Sequence, residues 1–349
     1  MTRKQLASLF ATSVLLLALA VPAFAEDPAE LPADTAQPEQ TTETTVQAEE
    51  TPAPAAEEEP QPEEAPAQRT YVALGDSITA GVGLTGLKFN AAPIGYDLSP
   101  NFEGYSDQCY VAKVASSLGL DRQHAINLGL PGLMSGDMLD LVRTGAMPQM
   151  NQPSGTYYVY PEYQEYLRTA DIISIQIGSN DALVPCIVGL GNATNWKSEK
   201  LANAIVSGSL RNFTFATLNA FLNDLSDLKL TRAESAATNK LLNSGMKEIC
   251  NTAYNEVTAN LPQIVQGIRE LNPNAQIVLL GYTNPVPLLP MWTDYFNNLN
   301  KFEKNLAAQE GLTYVAIPCT QTAMDGHPTV SGQRYIGRQL SRALKNLVK

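Results

Sequence analysis

Five short apolar runs, at residues 70–74, 125–130, 172–177, 276–280 and 313–317, are separated by segments with helical spacing. Most of each run is Val, Ile, Leu or Ala, with no regular polar alternation. A strand reads this way when both of its faces are covered, which is the situation of a parallel sheet packed between helices. The intervening helical patterns fall at 110–118, 135–142, 254–271, 293–309 and 331–347, and Asn272-Pro273-Asn274 ends the third of them. Strands alternating with helices predict an α/β chain, a doubly wound three-layer α/β/α sandwich around a parallel sheet of about five strands. In such a sheet the functional site lies beyond the C-terminal ends of the strands.

The positions that follow these runs carry a coherent set of chemical groups. After the first run comes Gly75-Asp76-Ser77-Ile78-Thr79-Ala80-Gly81, and after the second Leu130-Pro131-Gly132. The third leads into Gly178-Ser179-Asn180-Asp181, and the last is followed by Asp325-Gly326-His327-Pro328. A serine hydroxyl is a poor nucleophile until a base takes its proton, and histidine is the side chain suited to that near neutral pH. The chain has only two histidines, His124 and His327. His124 stands just before a strand, at the entry side of the sheet, where a structural role is expected. His327 is the expected base. Glycine at 132 lets the backbone approach a substrate closely, and Asn180 offers amide donors that carry no charge, so both suit a developing oxyanion. Asp76, Gly178 and Asp181 are expected to brace the loops. No G-x-S-x-G surrounds Ser77, which argues against the nucleophile elbow of α/β-hydrolases.

This ordered set of Ser77, Gly132, Asn180 and His327 resembles the SGNH, or GDSL-type, esterase and lipase family, over roughly residues 70 to 345. The resemblance implies a flavodoxin-like sandwich and hydrolysis of a carboxylic ester through an acyl-enzyme on Ser77. His327 would act as general base, and the N–H groups of Ser77 and Gly132 with the Asn180 amide as the oxyanion hole. It implies no organic cofactor and no metal. Family members often place an aspartate three residues before the histidine, but here Asp325 stands two before and Met324 three before. Asp325 is the expected third catalytic member, with the Met324 carbonyl as the alternative. The family spans lipases, thioesterases, phospholipid-acting enzymes and carbohydrate deacetylases, so a lipid or small ester and an acetylated glycan both stay open as substrates. A surface-displayed binding protein that kept the fold and lost catalysis is the reading from another class.

The rest of the chain bounds where this chemistry takes place. Arg3 and Lys4, an apolar stretch from Leu6 to Val21 and Ala23-Phe24-Ala25 read as an export signal over 1–25, cleaved after Ala25. The expected destination is extracellular, with no transmembrane anchor in the mature chain. Residues 26–68 hold thirteen acidic residues and no Lys or Arg, which predicts a disordered linker, one reading of which is a tether near a cell wall. That segment supplies nearly all of the net charge of −12, because residues 69–349 carry 21 basic and 22 acidic residues. Nucleic acid is therefore not an expected partner. Residues 69–349 are expected to form one hydrolase domain with a largely helical insertion at about 187–253, either a lid or ordinary packing. Four cysteines in an exported chain predict two disulfides, paired as Cys186 with Cys250 and Cys109 with Cys319.

Overall fold

In the computed structural model, β1 (Tyr71–Gly75) lies between β2 (Ala125–Gly129) and β3 (Ile172–Gln176), and β4 (Gln276–Leu280) and β5 (Thr313–Val315) extend the sheet. The order is β2-β1-β3-β4-β5 and every pairing is parallel. The structure describes residues 69–85, 91–92, 95–96, 102–148, 155–197, 214–216, 219–220, 223, 228–285, 290–323 and 326–347. The expected leader, the acidic linker and the pair Met324 and Asp325 lie outside the described residues.

The described helices are α1 (Ser77–Ala80), α2 (Tyr110–Leu118), α3 (Ser135–Thr144), α4 (Pro161–Thr169), α5 (Ser179–Ala193), α6 (Arg232–Lys240), α7 (Met246–Leu271), α8 (Pro290–Glu310) and α9 (Val330–Leu347). Alternate strand residues sort them into layers, because successive strand side chains point to opposite faces. Val72, Leu74, Ile126, Leu128, Ile173, Ile175, Ile277 and Leu279 meet α3, α4 and the C-terminal parts of α7 and α8. Tyr71, Ala73, Ala125, Ile172, Val278, Leu280 and Val315 meet α2 and α9 on the other side. Both faces are covered, so the strands carry apolar residues without alternation. A third cluster joins α5, the first half of α7 and the start of α8 around Trp292, Tyr295 and Phe296.

Two stretches depart from the expected organisation. α5 starts at Ser179 and runs to Ala193, and α7 starts at Met246, so both helices cross the expected insertion bounds of 187 and 253. Pro185, Gly189 and Gly191 break the sequence pattern of α5, yet Ala182 and Cys186, one turn apart, anchor it in the third cluster. A single π-helical turn, Leu241–Gly245, joins α6 to α7. Among the described residues no helix is long and apolar enough to cross a membrane.

Candidate active site

Ser77 heads α1, a helix of four residues that folds back over the end of β1. The turn is tight: a Cβ at Gly75 would lie 2.0 Å from Thr79 Oγ1 and 2.7 Å from the Gln176 carbonyl oxygen, so only glycine fits. So short a helix cannot satisfy its own ends, and neighbouring elements do it instead. Asp76 caps the start, its Oδ1 accepting from Ile78 N–H at 2.8 Å. At the other end, Asn127 Nδ2 donates to the Thr79 carbonyl at 2.8 Å and Gln333 Nε2 to the Ile78 carbonyl at 2.9 Å. The Ser77 carbonyl takes Gly81 and Val82 N–H. The serine is thus held from β2, from α9 and from its own loop, and it is half-buried.

Asp76 does more than cap. Its other oxygen accepts Ser179 Oγ–H at 2.5 Å and Tyr282 O–H at 2.8 Å, which ties the serine turn to the ends of β3 and β4. Burial pushes the carboxyl up from the ordinary aspartate range, while these hydrogen bonds and the nearby His327 imidazole pull it back toward the charged form. The helix that follows His327 reaches the serine turn, where Gln333 Nε2 meets the Ile78 carbonyl. The histidine loop is closed by Ala323 N–H to the His327 carbonyl at 2.9 Å and by Thr329 N–H to the Gln321 carbonyl at 2.9 Å. Val330, three residues on, begins α9, whose fully buried Gln333 both holds the Ile78 carbonyl and accepts Tyr110 N–H at 2.9 Å.

Gly132 and Asn180 follow the strands on either side of β1. Gly132 has φ of 77°, a left-handed conformation that disfavours a side chain, and a Cβ there would meet nothing within 4 Å. Asn180 Nδ2 donates to the Leu133 carbonyl at 3.1 Å, which ties it to the residue that follows Gly132. One position on, Asp181 accepts Ser135 N–H at 3.1 and 3.0 Å and Ser135 Oγ–H at 2.5 Å, and so binds the head of α3 to the head of α5. Ser77, Gly132, Asn180 and His327 therefore all lie at the C-terminal edge of the sheet.

Burial pushes the Asp181 carboxyl up to about 7, against the Ser135 hydrogen bonds that favour its charge. A folded-state value raised above the unfolded one means the native chain holds this proton more tightly. The associated stability is complete below the ordinary aspartate range near pH 4 and is lost as pH rises toward 7, by up to about 4 kcal/mol. Asp181→Asn removes that titration. Thermal melts between pH 4 and 7 are expected to show a shallower decline in this variant than in the parent chain.

The remaining expected positions fall elsewhere. His124 lies at the opposite edge, where its carbonyl accepts Tyr71 N–H at 2.8 Å and its Nδ1 lies 2.6 Å from Asp121 Oδ1, so its role is structural. All four cysteines are free thiols, which corrects the expectation of two disulfides: Cys109, Cys186 and Cys250 are buried and Cys319 is exposed. Of the apolar members of the expected insertion, Phe215 is 78% exposed and Trp196 49%. Leu201, Ile205, Phe213, Leu218, Phe221 and Leu222 lie outside the described residues. Tyr282 and Gln333 were not expected at the site; each reaches it across more than two hundred residues of chain, and no local pattern marks them. Among the described residues no group of three or more His, Cys, Asp or Glu is placed to hold a metal ion.

A parallel sandwich with serine, glycine, asparagine and histidine at one strand edge defines an ester hydrolase of the SGNH type. The chain belongs to the GDSL-like Lipase/Acylhydrolase family, whose sequence model matches residues 73–335, and it is a carboxylic ester hydrolase. No curated protein matches it. Among solved structures it is similar to the lipase Lip_vut3 from a goat rumen metagenome, at 17% identity and a TM-score of 0.46, covering 79% of this chain and 96% of that one. It is also similar to an extracellular lipase from Streptomyces rimosus, at 18% identity and a TM-score of 0.41, covering 79% and 99%. A third is the acetylxylan esterase Axe2 from Geobacillus stearothermophilus, at 17% identity and 0.42, covering 78% and 93%.

Proposed function

We propose that the protein is an exported serine esterase that cleaves carboxylic esters through an acyl-enzyme on Ser77. The observation that carries this reading is the bracing of the serine turn from all sides. Asp76 gathers Ile78, Ser179 and Tyr282, and Gln333 ties the histidine-bearing end of the chain to the same four-residue helix. In this mechanism His327 takes the Ser77 proton as the hydroxyl attacks the ester carbonyl. The Ser77 and Gly132 N–H groups and the Asn180 amide hold the resulting oxyanion. His327 then gives its proton to the departing alcohol and activates a water for deacylation. Asp325, or the Met324 carbonyl, accepts the other imidazole N–H and orients the ring. No step calls for a metal or an organic cofactor.

Export rests on the leader read over 1–25, and the acidic linker at 26–68 would serve as a tether near a cell wall. For the substrate, the exposed Ile187 and Val188 on α5 and Trp196 just beyond it favour an acyl chain longer than acetyl, since they present apolar area on the helix that Asn180 heads. The test is covalent: a fluorophosphonate probe should label the full chain once, on the peptide containing Ser77, and octanoyl esters should turn over faster than acetyl esters. An unlabelled, correctly folded chain would end the serine mechanism in favour of a binding role. Faster acetyl turnover, with labelling intact, would favour glycan deacetylation instead.

A further inference from the structure

Beyond the end of β4 the chain runs through Gly281 and Tyr282, and it is α8, not a neighbouring strand, that takes the Tyr282 backbone. Tyr282 N–H donates to Asn300 Oδ1 at 2.7 Å, and Asn300 Nδ2 donates to the Tyr282 carbonyl at 2.9 Å. One turn earlier on the same face of α8, the Phe296 ring lies 5.8 Å from the Tyr282 ring, centroid to centroid. α8 thus fixes both the backbone and the ring of this buried tyrosine. The clasp is close: a Cβ on Gly281 would lie 2.7 Å from Asn300 Oδ1.

The hydroxyl so placed meets Asp76. Tyr282 O–H and Ser179 Oγ–H converge on Asp76 Oδ2 at 2.8 and 2.5 Å, which leaves Oδ1 to accept the Ile78 N–H at 2.8 Å. The Ser77 N–H, one position earlier in α1, is bonded to no group among the described residues. The first N–H groups of a helix have no partner within it, and a capping carboxylate left free to turn would take this one as well. We propose that Asn300 and Tyr282 are positioning residues for ester hydrolysis: Asn300 holds Tyr282, Tyr282 pins the Asp76 carboxylate toward Ile78, and the Ser77 N–H is thereby kept for the oxyanion. The inference rests on the esterase reading, and neither residue touches substrate. Without the Tyr282 hydroxyl the carboxylate turns toward the Ser77 N–H and competes with the oxyanion for it. The loss then falls on the transition state and not on substrate binding.

The test compares the full chain with Tyr282→Phe, Asn300→Ala and the double variant on a short-chain p-nitrophenyl ester. Phenylalanine keeps the ring against Phe296 and removes only the hydroxyl. Each single variant is expected to lower kcat roughly 10–100-fold with KM changed only a few-fold, and to weaken a boronic acid that mimics the tetrahedral state by the same factor. The double variant should be no slower than the slower single one, because Asn300 acts through the hydroxyl. In chains carrying isotope-labelled serine, the Ser77 amide proton should move downfield in Tyr282→Phe, as an N–H does when it gains a carboxylate acceptor. An unchanged kcat in a folded Tyr282→Phe chain, a loss carried by KM, losses that multiply in the double variant, or a Ser77 amide proton that stays in place would overturn the proposal. A parent chain that takes no fluorophosphonate would instead end the esterase reading, and the amide proton still reports how Asp76 is held.

Discussion

Ser77→Ala is expected to lower kcat on a short-chain p-nitrophenyl ester by roughly 10⁵–10⁶-fold, and His327→Ala in the same chain to lower it no further. Each residue is useful only with the other: the imidazole has no proton to take without the hydroxyl, and the hydroxyl stays a weak nucleophile without the base. The activity that survives either change comes from the oxyanion donors and substrate binding, so the single and double variants should converge on one residual rate. The fold should tolerate the serine change. Alanine is a good helix former at the head of α1, and Asp76, Asn127 and Gln333 still hold the ends of that helix. The measurement is a set of four kcat values, for the parent, both single variants and the double, beside circular dichroism of each. Losses that multiply, rather than converge, would mean that Ser77 and His327 act separately.

The segments that carry Ser77 and Asn180 were legible in the sequence because each follows an apolar strand that both layers cover. Tyr71–Gly75 and Ile172–Gln176 are buried along their whole length, so their apolar runs, and the loops just beyond them, stand out. α4 did not stand out, since Pro161–Thr169 buries only Tyr163 and Leu167 and is polar elsewhere. α5 was hidden by Pro185 and two glycines, residues that usually end a helix, and its packing against α7 offsets their cost. The support of the serine turn was hidden for another reason. Tyr282 and Gln333 meet Asp76 and Ile78 across 206 and 255 residues of chain, and a tyrosine after a strand or a glutamine in a helix carries no signal of such a partner. Sequence pattern reports which faces are covered and which loops carry reactive groups. It does not report which distant polar side chain completes a given loop.

The Asn180 amide is the donor whose loss should be felt next most strongly. Nδ2 carries two hydrogens, and one of them already goes to the Leu133 carbonyl at 3.1 Å, which fixes the amide plane beside the Gly132 turn. In the proposed mechanism the other donates to the oxyanion formed over Ser77. A donor held in advance costs little to align when charge develops, so its contribution appears in the transition state and not in the ground state. Asn180→Ala is therefore expected to lower kcat by about 10²–10³-fold, on the order of 3 kcal/mol, with KM changed only a few-fold. Asn180→Asp should be worse, because a carboxylate faces the oxyanion with like charge. Asp181 still binds Ser135 in both variants, so the heads of α3 and α5 stay joined and the melting temperature should move little. Separate kcat and KM values, measured with a melt on each variant, distinguish this from a structural role. A rise in KM that accounts for the whole loss, or a large fall in melting temperature, would make Asn180 a brace for the Gly132 loop and remove it from the oxyanion hole.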